Sequence, residues 1–173
     1  MADFLKMDDV IDHLDLKDSM LAAEFGCGSA HFTLHLAKLL KQGRVYALDI
    51  QESKLSALQG KIKQQKVTNV FPIHGDLEHE NGSTLKANSL DIVLIPNLLF
   101  QVENKSAIIN EAHRVLKSEG QLLVIDWLKS NPLNHGRVVK PEEVKTMAEK
   151  SGFSFKKEFI SGDYHYGLLF IKK

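Results

Sequence analysis

The chain has one cysteine, Cys27, in 173 residues. An intramolecular disulfide and a cysteine-built zinc site are therefore excluded. It also lacks any surplus of charge, with 22 Lys+Arg against 22 Asp+Glu. A general binder of nucleic acid or of an anionic membrane surface needs cations to neutralise phosphates, so that class is disfavoured. No apolar run reaches the ~18 residues that would span a bilayer. The opening residues, MADFLKMDDVIDHLDL, are too acidic and too interrupted for a secretory leader. These absences lead to the expectation of a cytoplasmic protein. There is no repeat, low-complexity tract or linker. The length suits a single domain, at ~100–200 residues per domain. Within it we read residues 1–19 as an N-terminal helix and lid and residues 20–173 as the catalytic core.

What is present alternates between short apolar runs and amphipathic stretches. Met7, Val10, Ile11 and Leu14 recur at helical spacing. Leu21 to Phe25 reads as a strand stopped by Gly26. Ser29 then suits the cap of a helix carrying Phe32, Leu36 and Leu39. RVYALDI (44–50), Val70 to His74, LDIVLI (90–95) and Gly120 to Asp126 read as further strands. Helices are expected over about 53–65, 103–117 and from Pro141 to near Gly152, because proline suits a first turn and glycine an end. Residues 77–89 and 129–140 read as loops. Near-continuous apolar strands alternating with helices mean a mostly parallel sheet covered on both faces. Phe153 to Ile160 and Tyr164 to Lys172 are separated by only three residues, too few for a parallel crossover, so they should pair as a hairpin. The expected fold is α/β, Rossmann-like, with seven strands and an antiparallel last strand. Phe153, Phe155 and Phe159 alternate, which predicts core-facing aromatics.

In open α/β sheets ligands sit at the carboxyl ends of the strands, so the loops there carry the chemistry. The first is Glu24-Phe25-Gly26-Cys27-Gly28-Ser29-Ala30. Gly26 and Gly28 bare the backbone to a ligand, and the following helix offers free N–H groups. The dinucleotide pattern G-x-G-x-x-G would need glycine at 31, where His31 stands, and the phosphate loop GxxxxGK[ST] is absent. Glu24 favours a cationic ligand over a pyrophosphate. Asp49 lies 21 residues beyond Gly28, where a carboxylate can accept both hydroxyls of a ribose. Asp76 followed by Leu77 could hold and cover an adenine. Cys27 reads as a small filler. His31 and His35 lack the further ligand a metal would need, so no metal is expected. Asn97, Asp126 and Trp127 stand beyond the fourth and fifth strands, where a second substrate would meet the ligand. His135 and His165, with Asp126, are candidate bases by position alone.

Together these motifs resemble the class I S-adenosylmethionine-dependent methyltransferases, along nearly the whole chain. EFGCGSA resembles the family's acidic-x-Gly-x-Gly-x-Gly motif, with Ala30 in place of the last glycine. Asp49 matches the ribose acid, Gly75-Asp76 the adenine loop and LDIVLIPNLLF the fourth-strand motif. RVLKSEGQLLVIDW is similar to the small-molecule branch that includes quinone-biosynthesis-like enzymes. The resemblance implies S-adenosyl-L-methionine as cofactor, held by Glu24, Phe25, Gly26, Cys27, Gly28, Asp49, Ile50, Asp76, Leu77 and Asn97. It implies methyl transfer to a small molecule, with Asn97, Asp126 and Trp127 on the substrate side. A protein or RNA acceptor, or a non-catalytic binding module, remains an alternative at this point. The Asn/Asp-Pro-Pro-aromatic motif of amino-methylating enzymes is absent, since Pro96-Asn97-Leu98-Leu99 stands there. A homo-oligomer is compatible with the sequence.

Overall fold

The computed structural model describes residues 5–130 and 132–173. Its centre is a seven-stranded sheet in the order β3-β2-β1-β4-β5-β7-β6. The strands are β1 (Leu21–Phe25), β2 (Arg44–Asp49), β3 (Val70–His74), β4 (Leu90–Pro96), β5 (Leu116–Trp127), β6 (Phe153–Ser161) and β7 (His165–Lys172). β1 to β5 pair in parallel, and β7 runs antiparallel to both neighbours. The order reverses between β1 and β4, which opens a crevice at their carboxyl ends.

The helices are α1 (Met7–Ile11), α2 (His31–Leu39), α3 (Glu52–Gln65), α4 (Lys105–Val115) and α5 (Pro141–Lys150). They divide the core in two. Phe25, Val93, Ile95, Ile109, Val124 and Tyr166 belong to the side bearing α4 and α5. Val10, Leu36, Val45, Leu58, Ile92 and Ile125 belong to the side bearing α1, α2 and α3. Successive residues of β4 and β5 feed opposite clusters, the two-residue period of a strand buried on both faces.

Four local details differ from the sequence reading. The first helix ends at Ile11, before Leu14. The cap of α2 is Ala30 at φ 60°, with no side-chain cap bond, so Ser29 does not fill that role. β5 begins at Leu116, directly after α4, because a register irregularity lets Leu90 pair with Leu116 and Ile92 with Gln121. A bulge at Phe155–Lys157 shifts the alternation of β6. Phe153 consequently joins the α4–α5 side, Phe159 the α1–α2 side, and Phe155 stays 37% exposed.

Candidate active site

The loop from β1 to α2 turns on two glycines with positive φ, Gly26 (75°) and Gly28 (47°). A Cβ on Gly28 would meet nothing nearer than the Gly26 carbonyl at 4.0 Å, so that side of the backbone is open space. A Cβ on Gly26 would instead press on Leu98 at 3.0 Å. The loop is tied to β2 from below. Gly26 and Cys27 N–H donate to the Leu48 carbonyl, at 2.9 and 2.8 Å. Gly28 N–H donates to Asp49 Oδ2 at 2.9 Å, and Gln51 N–H donates to Asp49 Oδ1 at 2.9 Å. The Cys27 thiol also points at Oδ2, a weak contact at 4.0 Å, so Oδ1 alone keeps a lone pair with no contact.

Two cavities flank this loop. The first, about 460 Å³, is lined by Gly26, Gly28, Asp49, Ile50, Asp76 and Leu77, with Gln51, Lys54, Gln101 and Ile108 among the rest. The second, about 340 Å³, is lined by Glu24, Cys27, Gly28, His31, Pro96 and Asn97, with Leu5 and Met7 closing one side. Gly26, Gly28 and Gln101 border both. Pocket volumes of ~300–1,000 Å³ are those of small-molecule sites.

Glu24 is 2% exposed, and its hydrogen-bond partner is the Thr33 hydroxyl. Burial is the largest influence and raises its pKa to about 8. Burial likewise pushes the Cys27 thiol up to about 12, which leaves it protonated and inert. Asp76 folds back on its own loop, accepting from Glu78 N–H at 3.0 Å and pairing with His79 Nδ1 at 2.9 Å. Leu77 is buried in the wall beside it. Phe25 lies wholly in the core below the loop, and its side chain lines neither cavity.

The acceptor-side candidates separate. Asn97, at φ 51°, lines the second cavity, and its Oδ1 is buried without a partner. Asp126 and Trp127 line neither cavity. Asp126 is fully buried and accepts from Phe100 and Trp127 N–H, at 3.3 and 2.8 Å, so it pins the loop after β4. Burial raises its pKa to about 6. Trp127 stacks at 4.3 Å on His165, which burial holds down to about 4. His135 is exposed at φ 51° in the loop before α5. His35 pairs with Asp8 at 3.0 Å.

Sequence reasoning missed Gln101, Thr33, Leu5 and Met7. Gln101 and Thr33 were within reach. Asn97, Leu98, Gln101 and Val102 of the loop after β4 border the crevice, and Thr33 reaches the strand end that carries Glu24. Leu5 and Met7 reach the site from a segment with no motif of its own.

Residues 16–165 match the family model described as a methyltransferase domain. The demethylmenaquinone methyltransferase of Geobacillus stearothermophilus is 32% identical over 113 residues, covering 65% of this chain and 47% of that protein. That of Listeria innocua is 33% identical over 106 residues, covering 61% and 44%. The chain thus spans about half the length of the curated relatives it matches. Among solved structures, an S-adenosylmethionine-dependent methyltransferase from Aquifex aeolicus superposes with a TM-score of 0.86 at 22% identity, covering 98% of this chain and 90% of that one. The [4+2]-cyclase SpnF superposes at 0.84 with 14% identity, covering 96% and 79%. A cyclase on the same fold means that architecture alone does not fix the reaction. The sequence match over residues 16–165 decides the family: this chain belongs to the methyltransferase-domain family.

Proposed function

We propose that this protein transfers a methyl group from S-adenosylmethionine to a small, neutral acceptor of the demethylmenaquinone kind that its relatives are named for. The observation that carries this reading is the pair of cavities meeting at Gly26, Gly28 and Gln101. One suits a nucleoside and the other a reacting centre.

The residues fit the donor. Gly28 leaves the room a Cβ would fill. Asp49 suits two ribose hydroxyls, one at the free lone pair of Oδ1 and one in place of the weak Cys27 thiol contact at Oδ2, and Leu77 with Ile50 suits the faces of a base. Glu24 is a buried carboxyl without a cation, beside the cavity where a positive ligand end would sit. Bound there, the donor supplies an electrophilic methyl carbon whose departure leaves a neutral thioether. The chain therefore has no departing anion to stabilise. Its work is to hold two reactants in line and keep water out, and correct geometry can be worth up to ~7–11 kcal/mol. The acceptor loses a proton as the new bond forms, and no described side chain is committed to receiving it. The donor is a cytoplasmic metabolite, so we assign the reaction to the cytoplasm. The balanced charge supports a small acceptor over nucleic acid.

Calorimetry with S-adenosylhomocysteine, followed by transfer of labelled methyl to demethylmenaquinone held reduced, tests the reading. Micromolar product-analogue binding with methyl incorporation is expected. Absence of binding to the folded protein overturns the donor assignment, and binding without transfer overturns the acceptor.

A further inference from the structure

Buried side-chain polar atoms are almost always paired in folded proteins. Among the described residues the exceptions are Asn97 Oδ1, Trp127 Nε1, Ser161 Oγ and both ring nitrogens of His165. They are not scattered. Asn97 directly follows β4, Trp127 ends β5, His165 begins β7 and Ser161 ends β6. Those four strands are consecutive in the sheet. Trp127 pairs with His165 across one ladder and His165 with Ser161 across the next. All the orphaned groups therefore lie in one row along the carboxyl edge, starting at the second cavity. The remaining buried polar side chains, such as Glu111 and Gln121, have partners.

We propose that this row is the recognition strip for the methyl acceptor, and that it takes a flat aromatic ring bearing hydroxyl groups. The proposal rests on the methyl-transfer reading above. The chemistry of the row points to that class. Its members are uncharged, since burial keeps His165 neutral, so a neutral partner fits better than an ionic one. A neutral imidazole offers one donor and one acceptor in either tautomer. The indole N–H only donates, whereas a serine hydroxyl does both. A hydroxyl on the ligand can answer each of them, and a carbonyl or ether cannot. Neighbouring strands are ~4.8 Å apart, comparable to the separation of para oxygens across one aromatic ring. The aromatic packing agrees, with Phe100 edge-on to Trp127 at 6.2 Å and His165 tilted against the same indole at 4.3 Å.

The segment 5–16 covers the same face of the sheet. Asp15 exchanges two hydrogen bonds with the Gln121 amide, each 2.9 Å, and His13 stacks on Phe159 at 3.7 Å. Gln121, Phe159 and Trp127 share that face, and Leu5 and Met7 line the second cavity. The assigned way in is thus from that cavity, beneath the start of the segment. Unlike groups kept for packing, orphaned groups kept for a ligand weaken the free protein and strengthen the complex.

The test uses the full chain and two probes, 1,4-dihydroxynaphthalene under reducing conditions and its dimethoxy counterpart, each titrated with S-adenosylhomocysteine present. The wild type should prefer the dihydroxy probe by about tenfold or more. His165→Phe and Ser161→Ala should erase most of that preference while leaving S-adenosylhomocysteine affinity within about twofold. The ligand-free Tm of His165→Phe should stay level or rise, and His165→Asn, which keeps a donor and an acceptor, should recover part of the preference. Equal binding of the two probes by the wild type, or an unchanged preference in the variants, overturns the strip. If His165→Phe does not fold, Ser161→Ala decides alone. Failure of S-adenosylhomocysteine to bind would instead overturn the donor reading, and the probe titrations, repeated without it, would still judge the strip.

Discussion

The carboxyl of Glu24 lies at the end of β1, bonded by the hydroxyl and the backbone N–H of Thr33. Its raised pKa, about 8, has a signed consequence. An acid whose folded pKa exceeds its unfolded value stabilises the fold fully below the unfolded pKa of about 4.5, and that stability is lost as the pH rises through the folded value. Free protein should therefore lose stability between about pH 5 and 8 through this group. Glu24→Gln should remove that part of the slope, so urea midpoints of the two proteins should diverge as pH rises. A parallel pair of curves would show that Glu24 is solvated. The same variant should bind S-adenosylmethionine about tenfold or more weakly, because a buried carboxylate opposite a cation is replaced by a neutral amide. Two positions away from Gly26, Gly28 stands at φ 47° with open space where its Cβ would lie. Gly28→Val should abolish binding by entering the first cavity, with a strain cost of about 1–3 kcal/mol. Near-native circular dichroism without a thermal shift on adding S-adenosylhomocysteine is the expected signature. Ala30 shows what the motif could not reveal. It occupies the left-handed region, at φ 60°, where the family pattern has glycine, and its methyl group can offer the helix cap no side-chain bond.

At the level of elements, the apolar runs of β1, β2 and β4 were legible because a strand buried on both faces needs little else. The junction of α4 with β5 was not. Leu116 continues the helical pattern of Ile108, Ala112 and Val115 yet already pairs with Leu90 in the sheet. The last two carbonyls of α4, those of Arg114 and Val115, accept from Asn88 and Ser89 N–H at 3.0 and 2.8 Å, and the rest of the cap comes from the far end of the chain. Lys172 is 8% exposed, and its ammonium donates at 2.7 Å to the carbonyls of His113 and Leu116 and to Asn88 Oδ1. The His113 carbonyl in the last turn of α4 and the Leu116 carbonyl just beyond it thus receive a cation, as a helix C-terminus favours. No local signal could have announced it, since 56 residues separate Lys172 from Leu116. Lys172→Met should leave those acceptors buried and unpaired and cost about 2–4 kcal/mol. Denaturant unfolding would read the loss, and a change under 1 kcal/mol would mean that water replaces the ammonium. The bulge of β6 was equally hidden. Phe155-Lys156-Lys157 carries no glycine to mark it, so nothing in the sequence shows that Phe153 and Phe159 enter the core from opposite faces.

At the scale of the whole molecule, the described part of the segment before β1 borders the crevice through Leu5 and Met7. It does two separable things. Val10, Ile11 and Leu14 are 0%, 2% and 7% exposed and belong to the core on the α2 side. Burying three such side chains is worth roughly 5–9 kcal/mol, comparable with the ~5–15 kcal/mol that holds a domain folded. Leu5 and Met7, by contrast, face the second cavity. Removing residues 1–15 should therefore unfold the protein and say nothing about catalysis. Removing residues 1–6 keeps the core residues and, among the described residues, takes only Leu5 from the cavity wall. The first cavity, with Asp49, Asp76 and Leu77, has no lining residue from the described part of this segment. Affinity for S-adenosylhomocysteine should thus stay within about threefold, while kcat for methyl transfer falls about tenfold or more, because water enters beside the reacting atoms. Calorimetry and single-turnover transfer on the 1–6 deletion separate the two quantities. Loss of donor affinity in a protein that still unfolds cooperatively would assign the segment to the donor cavity. An unchanged kcat would mean that the loop at 129–140, or an ordered acceptor, does the excluding instead.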